Sequence, residues 1–117
     1  MPRRLPLLAA LAALALPGCG IGSDDAGPDP EDKRAATLEC LREEKDVDAR
    51  AAGATGIQVG DPATGPRVRF YLTSGEAEAA QFKGTQEGSE HIGSALLFVR
   101  EGSDELLEDV EACLDSL

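Results

Sequence analysis

The stretch RVRFYLTSGEAEAAQFKGTQEGSEHIGSALLFVR, residues 67–100, decides the fold class. Its first six residues alternate. Val68, Phe70 and Leu72 fall on one face, and Arg67, Arg69 and Tyr71 on the other. That period of two marks a half-buried strand. Ser74 then offers an N-cap for a helix running to Phe82 or Lys83, and Gly84 supplies its stop. Thr85 to Glu90 reads as loop. Ile92 to Val99 reads as one strand, whose end, Ala95-Leu96-Leu97-Phe98-Val99, is apolar without a break. Such a run suits an inner strand covered on both faces, by a helix or by a second copy of the chain. A strand–helix–strand unit with parallel strands crosses over right-handedly, so a mixed sheet is expected.

Upstream, Ile57-Gln58-Val59 is a short strand candidate. The turn-rich segment Gly60-Asp61-Pro62-Ala63-Thr64-Gly65-Pro66 would join it to Arg67–Leu72 as a hairpin with a long loop. Asp46 to Thr55 carries little pattern. Glu31 to about Lys45 reads as a helix, with Asp29 or Asp32 at its start, Pro30 in the first turn and acidic residues favouring the N-terminal dipole. Ala35, Leu38 and Leu41 would form its buried face. Downstream, Ser103 caps a last helix with Asp104 and Glu105 in its first turn. Leu106, Leu107, Val110, Cys113, Leu114 and Leu117 follow at helical spacing and make the clearest apolar stripe of the chain. The expected fold is a small two-layer α+β domain over residues 31–117. Its order is α-β-β-α-β-α, its sheet is mixed, and its terminal helices pack together.

Residues 1–30 differ in kind. Arg3 and Arg4 precede an apolar run from Leu5 to Leu16. A membrane-spanning helix needs about 20 apolar residues, so this shorter run fits the core of a signal peptide. Pro17 and Gly18 then break the helix. The sequence Leu16-Pro17-Gly18-Cys19 resembles the lipobox of bacterial lipoproteins, with Pro17 where Ala or Ser is commoner. The resemblance is confined to the first 19 residues. It implies that 1–18 is a cleaved signal peptide and that Cys19 becomes the first residue, acylated on its thiol and amine. The chain would then be anchored in a bacterial membrane, facing the exterior or the periplasm. More than one acyl chain makes such an anchor stable. Residues 19–30 are a Gly-, Pro- and Asp-rich linker. Its eleven residues from Gly20 reach about 36 Å when fully extended.

The 117 residues carry 22 acidic and 11 basic side chains, a net charge of -11. Without Arg3 and Arg4, nine basic groups face the same 22 acidic ones. This balance argues against nucleic-acid binding, which needs clustered Lys and Arg. It also argues against an electrostatic grip on an anionic bilayer. One Tyr, three Phe and no Trp leave the core to Leu, Val, Ile and Ala. A core so thin benefits from a covalent staple.

With Cys19 assigned to lipid, Cys40 and Cys113 remain. An exported chain can oxidise them, and a disulfide between the first and last helices is the natural pairing. The alternative is a thiol-redox or sensor pair, although no Cys-x-x-Cys spacing occurs. One His and two distant Cys do not make a zinc site, and Asp24, Asp25, Asp29 and Asp61 lack the spacing of a calcium loop. No metal and no cofactor are expected. His91 could act in a small hydrolase with Glu87, Ser89 or Glu90, but no nucleophile-elbow sequence surrounds any Ser. The acidic last helix reads as a solvated face. Arg67, Arg69 and Tyr71 form the candidate binding surface for an anionic ligand or partner. The competing reading pairs these arginines with carboxylates at a sheet edge. The expectation is a non-enzymatic, lipid-anchored envelope domain that binds an envelope protein or small ligand.

Overall fold

The structure, a computed structural model, describes residues 29–83 and 88–117. The signal stretch, Cys19 and the linker to Pro28 lie outside the described residues, as does the expected helix stop at Gly84. The chain forms a small α+β domain. In order, its elements are α1 (Pro30–Glu39), a π-helical turn (Cys40–Glu44), β1 (Ala49–Ala52), β2 (Gly56–Val59), β3 (Arg67–Phe70), α2 (Ser74–Phe82), β4 (Ser89–Ile92), β5 (Ala95–Phe98) and α3 (Asp104–Asp115).

The five strands form one sheet in the order β1-β2-β3-β5-β4, and every neighbouring pair is antiparallel. The sheet is therefore not mixed, and the order α-β-β-α-β-α is short by two strands. The strand expected at Ile92–Val99 is broken in the middle. Ile92 pairs with Ala95 across the two residues Gly93-Ser94, and Gly93 takes φ +61°. A glycine first in a two-residue loop is the signature of a type II′ hairpin. This turn sends β5 back between β3 and β4. Those two strands do run parallel, since both oppose β5, but they never touch. Ser89 and Glu90, expected in a loop, begin β4. The second unexpected strand, β1, comes from the patternless segment Asp46–Thr55. It pairs with β2 from Ala49↔Val59 to Ala52↔Gly56, with Gly53 at φ +69° in the turn. The expected hairpin of β2 and β3 is present, Ile57 opposite Val68.

The inner face of the sheet carries the core. Ile57, Val59, Val68, Phe70, Ala95 and Leu97 pack with Leu41, Val110, Cys113 and Leu114, all almost fully buried. α1 meets the core differently from the expected stripe. Lys33 and Thr37 are its buried residues, Leu38 is half-buried and Ala35 is exposed. The reason is local. Lys33 finds three neutral acceptors at the end of β3 and in the β4–β5 turn: Tyr71 O at 3.0 Å, Leu72 O at 3.2 Å and Ser94 Oγ at 2.7 Å. A buried ammonium needs such partners. After Glu39 the helix widens into the π turn, with Lys45 N–H donating to Cys40 O. This turn seats Leu41 in the core and bonds Cys40 to Cys113, with the Cα atoms 5.7 Å apart. The terminal helices are thus joined through the π turn and the disulfide. Leu117, the last residue of the expected stripe, is exposed.

Thr73 caps α2, one residue before the expected Ser74, and its hydroxyl accepts from Glu76 N–H. Ser103 caps α3 as expected, accepting from Leu106 N–H. α2 packs on β4 and β5. Its Ala77 is fully buried, as is Leu96 of β5, yet both stand apart from the core cluster. Leu96 points opposite to Ala95 and Leu97 because strand side chains alternate. The helix therefore roofs the outer face over β4 and β5. The two-layer expectation holds over β1–β3, and a third layer covers the rest. This helix, within the same chain, covers the apolar strand.

Candidate functional site

Over β1, β2 and β3 no helix among the described residues roofs the outer face. A groove of about 770 Å³ lies there. Its floor includes Gly56 and Ile57. Phe98 and Val99 form one side, and Arg67, Arg69 and Arg100 supply its charge. Among the described residues, no carboxylate lines it. The register explains the convergence. Gly56, Arg69, Leu96 and His91 lie in one row across the sheet, and Gln58, Arg67, Phe98 and Ser89 in the next.

Gly56 keeps the floor low for a reason internal to the chain. A Cβ there would lie 2.8 Å from Ala52 O and 3.0 Å from Val68 O. Any side chain would press on the backbone of both neighbouring strands, so the groove floor is bare.

The three arginines are not equivalent. Arg67 donates from Nε to Gln58 Oε1 at 2.6 Å and from Nη2 to Pro62 O at 3.3 Å. Gln58 is buried, and its Nε2 donates to Asp61 O at 2.9 Å. Arg100 donates from Nη1 to Gly65 O at 2.9 Å and from Nη2 to Ala63 O. Its backbone takes φ +46°, a conformation uncommon for a non-glycine residue. The carbonyls of the β2–β3 loop hold it in place. Arg67, Gln58 and Arg100 thus staple that loop. The Arg69 side chain is exposed and makes no hydrogen bond or ion pair among the described residues.

Of the three residues expected in the binding surface, the structure brings two together. Tyr71 lies past the end of β3 and does not line the groove. Its N–H donates to Ser94 O at 2.8 Å while the chain turns toward α2. The competing reading of the arginines also needs correction. β3 is the middle strand of the sheet, so Arg67 and Arg69 protect no edge. Neither is paired with a carboxylate among the described residues. The edge strand β1 is guarded by other arginines. Arg42 Nε donates to Ala49 O at 2.9 Å and Arg34 Nη1 to Gly53 O at 3.0 Å. Sequence reading missed Arg100, Gln58 and Phe98 as neighbours of the patch, because their proximity depends on the β3–β5 pairing.

His91 is exposed on β4, on the outer face. Glu90 alternates to the inner face, where its carboxyl hydrogen-bonds Glu111 of α3. That bond, partial burial and the charges of Glu90, Asp115 and Glu108 together raise the Glu111 carboxyl above its ordinary value. Glu87 lies outside the described residues. Cys40 and Cys113 are joined as a disulfide spanning 73 residues of sequence. Among the described residues, no group of three or more His, Cys, Asp or Glu could hold a metal ion, and no helix is long and apolar enough to cross a membrane. No family model, no curated protein and no solved structure matches this chain.

Proposed function

We propose that this protein is a lipid-anchored domain of the bacterial envelope that binds an anionic ligand or partner on its open sheet face. The lipobox-like Leu16-Pro17-Gly18-Cys19 supports the anchor. The observation that carries the binding reading is the exposed Arg69, which has no side-chain partner among the described residues and stands in a groove lined by none of their carboxylates, on a chain of net charge -11. Among the described residues, Arg34, Arg42, Arg67 and Arg100 are held by carbonyl or amide oxygens and Arg50 by Asp48, so Arg69 alone presents a guanidinium without a partner, the group suited to a planar oxyanion. The linker would let the domain reach about 36 Å from the bilayer. Its negative charge would hold it off anionic headgroups.

The test places a photo-cross-linking residue at Val99, irradiates cells, and measures intact masses of the chain from the membrane fraction. Expected is a chain beginning at Cys19 with acyl chains, part of it carrying an additional cross-linked mass. An unlipidated chain without a cross-linked product overturns the reading.

A further inference from the structure

We infer that the groove takes an extended, acidic peptide segment of a partner protein rather than a free small anion, with Arg69 as the residue that reads its carboxylate. The inference rests on the binding reading above and names its ligand class. Division of labour among the arginines carries it. Arg67 is held by Gln58 and Pro62 O, Arg100 by the carbonyls of Gly65 and Ala63, and the Gln58 amide donates to the same loop. One uncommitted guanidinium remains. Arg69, whose side chain alone of the three has no hydrogen bond among the described residues, would give a small oxyanion one direct exposed ion pair, which improves binding by less than about tenfold and is not by itself enough to hold any ligand. Even millimolar affinity requires about a thousandfold over the molar standard state. Arg67 and Arg100 add charge, but their guanidiniums are turned to Gln58 and the β2–β3 loop and do not converge with Arg69 on one small anion.

An extended chain meets the groove on other terms. The uncovered face spans β1, β2 and β3 and is bordered by Phe98 and Val99. Bare Gly56 and small Ala52 and Gly53 leave room for a second backbone. Side chains of an extended peptide alternate, so one set can cover the apolar border while a carboxylate in the other reaches Arg69. A basic segment would bring like charge to three guanidiniums with no carboxylate among the lining residues to offset it. An anionic bilayer presents the right charge, but most of the domain around the groove repels it.

The test follows backbone amide shifts of Gly56, Arg69, Gly88 and Phe98 in the intact chain. The probes are a blocked hexapeptide alternating glutamate and valine, its lysine–valine and serine–valine counterparts, inorganic phosphate, and phosphatidylglycerol vesicles. Saturable shifts with the glutamate peptide are expected, weaker by about three- to tenfold in Arg69→Gln and partly restored in Arg69→Lys. An unchanged melting temperature shows that Arg69→Gln still folds. Saturation by phosphate at millimolar concentration, or by vesicles, overturns the peptide assignment. Equal binding of the serine peptide, or no loss in Arg69→Gln, removes the acidic specificity but leaves binding at the groove. Silence of these amides with every probe overturns this inference, while the cross-link at Val99 decides the parent reading separately.

Discussion

The two faces of the sheet are built from the same strands and behave differently. On the inner face, α1, the π turn and α3 pack over the sheet, and the residues of β2, β3 and β5 there are apolar and buried. On the outer face, α2 covers β4 and β5 only. Leu96 is fully buried there, while Arg69, its partner across the β3–β5 pairing, is exposed. Two residues in one row of one face thus differ because a nine-residue helix reaches one and not the other. Burial is set by what covers a strand, and a face left open by a short helix can be given to binding.

The largest test of the inner face is its covalent staple. Replacing Cys40 and Cys113 together with Ala should cost about 4 kcal/mol, the loop-closure entropy of a 73-residue separation. Denaturant titration measures it, and an unchanged midpoint would show that the helices hold without the bond. A truncation series then grades the sheet itself. Leu97→Ala, on the inner face, should cost roughly 3–4 kcal/mol, and Leu96→Ala, beneath α2, roughly 2–3 kcal/mol. Arg69→Gln, on the open half, should change stability by less than about 0.5 kcal/mol. Equal losses for all three would erase the distinction between the faces.

Thr37 offers a gain instead of a loss. Its hydroxyl is buried and has no hydrogen-bond partner among the described residues. Thr37→Val keeps the shape, removes the unsatisfied group and should stabilise the fold by about 1 kcal/mol. A loss would mean that the hydroxyl is satisfied in solution.

The smallest effect belongs to the pair of carboxyls at the rim of the inner face. The folded chain holds the Glu111 proton more tightly than the unfolded chain does, chiefly through the bond to Glu90. A raised carboxyl contributes stability that is complete below the ordinary carboxylate value and is lost as pH rises through the raised one. Once ionised, Glu111 is repelled by the charges of Glu90, Asp115 and Glu108. Glu111→Gln should therefore raise stability at pH 7 by a few tenths of a kcal/mol, the scale of exposed like-charge pairs. The gain should disappear in acid. Thermal melts at pH 7 and pH 3.5 check both the sign and its reversal.

Much of this was legible in order along the chain. The alternation of Val68 and Phe70, the Ser103 cap and the stripe through Val110, Cys113 and Leu114 are local signals, and each element formed where they indicate. The Gly93-Ser94 turn was also legible, since a glycine–serine pair between apolar residues is a hairpin signal. The unbroken apolar run after it masked the break by inviting a single longer strand. β1 had no such signal. Its Ala-Arg-Ala-Ala composition favours no strand, and it becomes one because β2 offers an edge, Arg42 holds the carbonyl of Ala49 and Arg34 that of Gly53 in the following turn. Lys33 was illegible for the same kind of reason, since its acceptors lie 38, 39 and 61 residues away.

The sequence by itself determined the α+β class, the hairpin of β2 and β3, the three helices and the location of Arg67 and Arg69 on one strand face, and it made Cys40 with Cys113 the natural pairing once Cys19 was assigned to lipid. These follow from periodicity, capping and cysteine count, which act over a few residues or by elimination. Only the tertiary structure decided that the sheet is antiparallel, that β3 lies at its centre, and that Arg69 stands in an open groove while Arg67 and Arg100 are bound to a loop. Those outcomes depend on strand order and on where α2 comes to rest. Both are fixed by contacts between segments far apart in the chain, whose partners no local pattern of residues can name.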